Sequence, residues 1–123
     1  MMNKEQMSVI YEIGKKVVSG SINEKDASLR IYRDYGLNQT SLIYYFRSLK
    51  NMLEGSNTYA ISIGSAIREF FLLSIYKEFG AERLRIALKQ FLIDIEYYEH
   101  SHGDRIQKKN RELYQKYCDL LNK

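Results

Sequence analysis

The chain reads as all-α, a compact bundle of five or six helices containing a helix-turn-helix-like pair. Three observations predict this. Apolar residues recur at three- and four-residue spacing along nearly all of the 123 residues, which is the period of one helix face. Proline is absent, so nothing forces a helix to break and glycine and capping residues must punctuate the chain. Period-two alternation, the mark of a strand, is confined to the short stretch TYAISIGSA at 58–66, which runs directly into helical pattern.

Taken in order, the first helix starts at Asn3, a cap with Gln6 three residues on, and carries Met7, Ile10, Ile13 and Val17 on one face until Gly20. The second opens at NEKD, with Asn23 as cap and Asp26 in the positive first turn. It turns Ala27, Ile31 and Tyr35 inward and ends at Gly36, where a left-handed residue is cheapest. Asn38 or Thr40 caps a third helix running to about Glu54, stopped by Gly55. After the link GSNT comes the most apolar segment, read as the longest helix, with Tyr59, Ile63, Ile67, Phe70, Phe71, Ile75, Tyr76 and Phe79 too numerous for one stripe. Gly80 ends it. The fifth helix, Ala81 to about His100, faces Leu84, Leu88, Phe91, Leu92 and Ile95 inward. Beyond Gly103 a sixth is expected, capped by Asp104, with Ile106, Leu113, Tyr117, Leu120 and Leu121 inward.

The totals bound the function. A chain of this length suits one domain over 1–123, divided here into a core at 1–103 and a basic C-terminal helix at 104–123. The formal charge of +4 favours an acidic partner only weakly. Its distribution says more. Residues 1–55 carry eight Lys/Arg against six Asp/Glu, 56–103 five against six, and 104–123 six against three, so the ends are basic and the middle neutral. The single cysteine, Cys118, excludes an internal disulfide framework and the usual four-ligand zinc site, and suits a reducing, cytoplasmic home. No apolar run approaches the length of a membrane span, and the first residues lack the uninterrupted apolar core of a signal peptide.

The stretch DYGLNQTSLIYYFRSL, residues 34–49, carries the functional question. A helix-turn-helix needs a three- or four-residue turn and fixed apolar positions that lock the pair. With Gly36 at the turn, those positions hold Ile31, Tyr35, Leu37, Leu42 and Tyr45, all apolar or aromatic. Asn38, Gln39, Thr40, Ser41, Tyr44 and Arg47 are left facing outward. Asn and Gln suit adenine, Arg suits guanine, and hydroxyls or helix-start amides suit phosphate. Arg30, Arg33 and Lys50 join Arg47 as local cations against the one anion Asp34. Tyr32 dissents, because it stands where such motifs prefer a small residue and so predicts a wider crossing or another register. The plain alternative is an αα-hairpin whose polar residues are only caps.

The run GLNQTSLIYYFRSLKNMLEG, then Tyr59, YKEFG, LRIAL and IEYYE, resembles the N-terminal helical domain of HNH-type restriction endonucleases, the modified-cytosine-specific group among them. The similarity covers roughly residues 5–99. It implies a DNA-recognition module, ordinarily tethered to a nuclease. The chain departs from that family in lacking the HNH part: an HNH site needs a ββα metal fold with several histidines and an Asn, whereas here there are only His100, His102 and Cys118.

Other chemistry is thin. Glu96, Glu99, His100, His102 and Asp104 fall within nine residues, but two histidines at i and i+2 point about 200° apart on a helix. A polar helix end is the simpler reading, with no metal and no cofactor. Cys118 reads as a structural thiol. The outward members of Tyr44/Tyr45 and Tyr97/Tyr98 could stack on bases or rim an interface. Arg105, Lys108, Lys109 and Arg111 offer secondary phosphate contacts or simply a solvated face. No catalytic set stands out. The expectation is therefore a non-catalytic, homodimeric protein binding duplex DNA, with Arg33 and Lys50 on phosphates. The alternative is a protein-binding inhibitor or adaptor from a phage or mobile element, of anti-restriction or anti-CRISPR type, acting on a nuclease. A net charge of +4 makes the chain a poor DNA mimic.

Overall fold

In the computed structural model, which describes residues 2–55 and 59–123, every regular element is an α-helix. The order is α1 (Lys4–Val18), α2 (Glu24–Tyr35), α3 (Gln39–Glu54), α4 (Ser65–Phe79), α5 (Ala81–Ser101) and α6 (Lys108–Leu121). The chain divides into two compact units, Met1–Lys50 and Asn51–Lys123, with the division inside α3.

In the first unit, local signals set each boundary. At the start of α1 the Gln6 N–H donates to Asn3 Oδ1 at 2.8 Å and the Asn3 N–H donates to Gln6 Oε1 at 3.0 Å, a reciprocal capping box. Asn23 caps α2 by accepting from the Asp26 N–H at 2.8 Å. Gly36, at φ 71°, closes α2 in the left-handed region, and its N–H donates to the Tyr32 carbonyl. Three residues later α3 has begun, with Asn38 rather than Thr40 as its cap: the Ser41 N–H donates to Asn38 Oδ1 at 3.0 Å. The core of the unit is Ile10, Tyr11, Ala27, Ile31, Leu42, Phe46 and Leu49. Gly14 lets α1 approach α3 closely, since a Cβ there would lie 2.8 Å from Leu49 Cδ2 and 3.3 Å from Phe46 Cδ1.

In the second unit α4, α5 and α6 pack against one another, burying Ile67, Phe71, Leu72 and Ile75, Leu84, Leu88, Phe91 and Ile95, and Leu113 and Tyr117. Three expectations need correction here. First, α4 starts at Ser65 and not at Tyr59, so α5 with 21 residues, and not α4 with 15, is the longest helix. From Tyr59 to Gly64 the backbone is irregular; Ile61 and Ile63 are buried while Tyr59, Ser62 and Gly64 are exposed. That alternation marks an extended segment lying on a core, without a strand partner. The start of the TYAISIGSA stretch, Thr58, and most of the GSNT link lie outside the described residues. Second, Asp104 does not cap α6. It sits at φ 61°, whereas a cap needs the extended region, and α6 begins four residues later, after Gln107. Third, Ile106 falls in this connection and is 73% exposed rather than inward.

What holds the extended segment is a polar network that periodicity does not reveal. Arg68 on α4 and Asp94 on α5 pair at 3.1 Å, with side chains only 3% and 5% exposed. The Arg68 Nη2–H also donates to the Ile61 carbonyl at 3.0 Å, and the guanidinium lies 4.7 Å over the Phe91 ring. Asp94 Oδ1 accepts from Gln90 Nε2 at 3.0 Å and from the Ile61 N–H at 3.4 Å. Both backbone groups of Ile61, which no helix or sheet satisfies, thus find side-chain partners. Burial pushes the Asp94 carboxyl up and the Arg68 guanidinium down despite their mutual attraction, so desolvation outweighs pairing.

A second clamp ties α6 to α5. Arg111 grips Glu99 through Nε–H to Oε2 at 3.0 Å and Nη2–H to Oε1 at 2.5 Å, and the Gln107 N–H donates to Glu99 Oε2 at 2.8 Å. Arg111 first, then Gln107, hold the Glu99 carboxyl down at about 2. A carboxyl whose folded pKa lies below its unfolded one stabilises the fold above the unfolded value, and the gain is lost as pH falls through the folded one. Urea unfolding of the wild type is therefore expected to lose stability between about pH 4.5 and pH 2. In Glu99→Gln that part of the acid dependence is expected to vanish.

Candidate nucleic-acid interface

The outward side of α3 is built by exclusion. Leu42, Phe46 and Leu49 are buried, which fixes the rotation of the helix and leaves Thr40, Tyr44 and Arg47, at i, i+4 and i+7, exposed along one stripe. Of the five locking positions, Ile31 and Leu42 are buried and Tyr35, Leu37 and Tyr45 half-buried, and burial pushes the Tyr45 hydroxyl pKa up. Tyr32 points outward at 49% exposure, so it does not wedge the pair apart; the buried residues of α2 are Ala27, Ser28 and Ile31.

Individual predicted contacts fare differently. Thr40 is exposed, as are Arg30, Arg33 and Lys50, while Gln39 and Ser41 are half-buried. Asn38 is exposed, with its side-chain oxygen engaged as the helix cap. Tyr44 is 49% exposed. Arg47 is held by a residue that the sequence reading passed over, Glu24 in the first turn of α2. The Arg47 Nε–H donates to Glu24 Oε2 at 3.2 Å and Nη2–H to Oε1 at 2.6 Å. Glu24, Arg47 and Lys50, with Val17, Ile22 and Phe46, line a shallow hollow of about 260 Å³.

That ion pair joins the first turn of α2 to the middle of α3. Comparison with protein-family models, with curated proteins and with solved structures finds no match to this chain.

The basic set at the start of α6 belongs to the second unit. Arg105, Lys108 and Lys109 are exposed, whereas Arg111 is committed to Glu99. His100 Nδ1 lies 3.1 Å from Asp104 Oδ1, and His102 Nδ1 2.7 Å from the Tyr98 carbonyl, so each histidine has its own partner and the two do not converge. Among the described residues no three His, Cys, Asp or Glu side chains gather as metal ligands. Cys118 is half-buried beside Tyr114, whose hydroxyl pKa is raised by burial and then by the thiol. Tyr97 is 57% exposed and edge-on to Tyr98 at 5.3 Å. No helix among the described residues is long and apolar enough to cross a membrane.

Proposed function

We propose that this chain is a small non-catalytic protein that binds duplex DNA through the exposed stripe of α3. The observation that carries the reading is that stripe: Thr40, Tyr44 and Arg47 in phase on one side of a helix whose other side is locked by Leu42, Phe46 and Leu49. A hydroxyl and a phenol along one helix face suit phosphate oxygens, and a guanidinium suits the guanine edge. Exposed Arg30 and Arg33 in the same unit supply further cations for the backbone. The resemblance of residues 5–99 to the recognition domain of HNH-type restriction endonucleases supports the same reading.

Gel shifts with modified and unmodified duplexes test it. Arg47→Ala is expected to weaken binding by about 1–3 kcal/mol if the side chain reads a base, and affinity should fall steeply with salt. Unaltered affinity in a folded Gln39→Ala/Arg47→Ala variant would remove α3 as the contact. Elution from heparin near physiological salt, together with a stable complex with a nuclease, would identify a protein-binding inhibitor instead.

A further inference from the structure

Resting on the reading of α3 as a DNA-contacting helix, we infer that Glu24 is the specificity-setting residue of that surface, because its carboxylate already occupies the guanidinium that would otherwise grip phosphate. A guanidinium fork accepts three kinds of partner equally well in geometry: a carboxylate, a phosphate, or the O6/N7 edge of guanine. Here the carboxylate is in place, with both Glu24 oxygens engaged at 2.6 and 3.2 Å. A phosphate approaching Arg47 must therefore displace one anion with another, or sit beside it. Either way the charge attraction that drives indiscriminate backbone binding is largely cancelled at this position. A guanine edge carries no net charge and meets no such repulsion. Glu24 thus penalises the sequence-independent contact more than the base contact, which is how a repulsive element produces discrimination.

The pair is suited to exchange rather than to permanent structure. The Arg47 and Glu24 side chains are 44% and 36% exposed, and exposed pairs are worth little to stability. Solvent and ligands reach both members. Glu24 also stands in the first turn of α2, where an acid is favoured by the helix end whatever else it does. A test must therefore read something that a purely structural role would not move.

Binding of a random-sequence 20-base-pair duplex, measured by fluorescence anisotropy from low to moderate salt, supplies it. Glu24→Gln is expected to bind about tenfold tighter than wild type at low salt, with a salt slope steeper by about one released ion. Glu24→Gln/Arg47→Gln should lose that gain and match Arg47→Gln alone. Glu24→Asp, which keeps the charge, should keep the wild-type slope. Thermal melting confirms that each variant is folded. Equal affinity and slope for wild type and Glu24→Gln, both binding, overturns the role of Glu24 while leaving α3 as a DNA contact. A gain in Glu24→Gln that survives Arg47→Gln overturns the coupling between the two residues. Absence of duplex binding by wild type and Glu24→Gln alike removes the DNA reading and this inference with it.

Discussion

Replacing Asp94 with alanine is expected to destabilise the protein by about 3–5 kcal/mol, the cost typical of stranding one member of a buried ion pair. Arg68, 2% exposed, would keep its charge without the carboxylate that faces it, and Gln90 and the Ile61 N–H would lose their shared acceptor. Asp94→Asn should do less harm to the hydrogen bonds and still leave the guanidinium uncompensated. The double change Arg68→Met/Asp94→Leu separates charge from packing. Buried pairs replaced by apolar residues of similar size are often neutral, so the part of the loss owed to the stranded charge should be recovered. The Ile61 carbonyl and N–H would remain without side-chain partners, a residual cost of about 1–3 kcal/mol each. Chemical denaturation of the three variants distinguishes these outcomes; a single Asp94→Ala change with wild-type stability would mean that the network is inert.

Gly14→Leu is the second large effect, about 3 kcal/mol of destabilisation at the upper end of the range for overpacking a filled core. Even a lone Cβ would press on Leu49 Cδ2 at 2.8 Å, and Leu49 and Phe46 are 0% and 1% exposed, with no open side to retreat into. Gly14→Ala is the informative control. Alanine gains roughly 1 kcal/mol of helix propensity over glycine, which offsets most of the shift that one methyl demands of Leu49, so its net effect should be small. Leucine gains nearly as much propensity, but its added volume costs more than that gain returns. Because Leu49 and Phe46 fix the rotation of α3, Gly14→Leu should also weaken duplex binding, although Gly14 itself touches no part of the exposed stripe. Parallel melting and anisotropy measurements on both variants check this.

Much of the architecture was legible because its signals are local. The Asn3/Gln6 capping box, the Asn23 cap, Gly36 and the inward face of α5 can be read from spacing, since one turn of helix fixes them; on α3 the locking pattern points to Leu42 and Tyr45, whereas Phe46 and Leu49 are what is buried beside Leu42. The failures share a different cause. Tyr59 and Ile63 stand eight and four residues ahead of Ile67 and so read as helix, and only long-range partners on α4 and α5 tell an extended buried segment from a helical one. Asp104 has the chemistry of a cap, but the left-handed turn at Gly103 and Asp104 uses it otherwise. On α3, residue types predicted which side faces outward, but not that Glu24, fifteen residues before Gln39, would hold Arg47. A faint trace of the buried network was present: Arg68 beside Ile67, and Asp94 beside Ile95, occupy the apolar registers of their helices with opposite charges. Two such misfits of opposite sign are a signal worth seeking in any helical sequence.

The tether on Ile61 also restricts how the chain can change length. Most connections between helices tolerate insertions and deletions because their backbone faces water. Here both polar groups of one residue are gripped from two helices at once, and Ile61 and Ile63 are seated beneath the surface. Adding or removing a single residue between Tyr59 and Gly64 would move Ile61 out of register with Arg68 and Asp94 and turn the isoleucines toward solvent. The irregular stretch Tyr59–Gly64 is thus held to a fixed length.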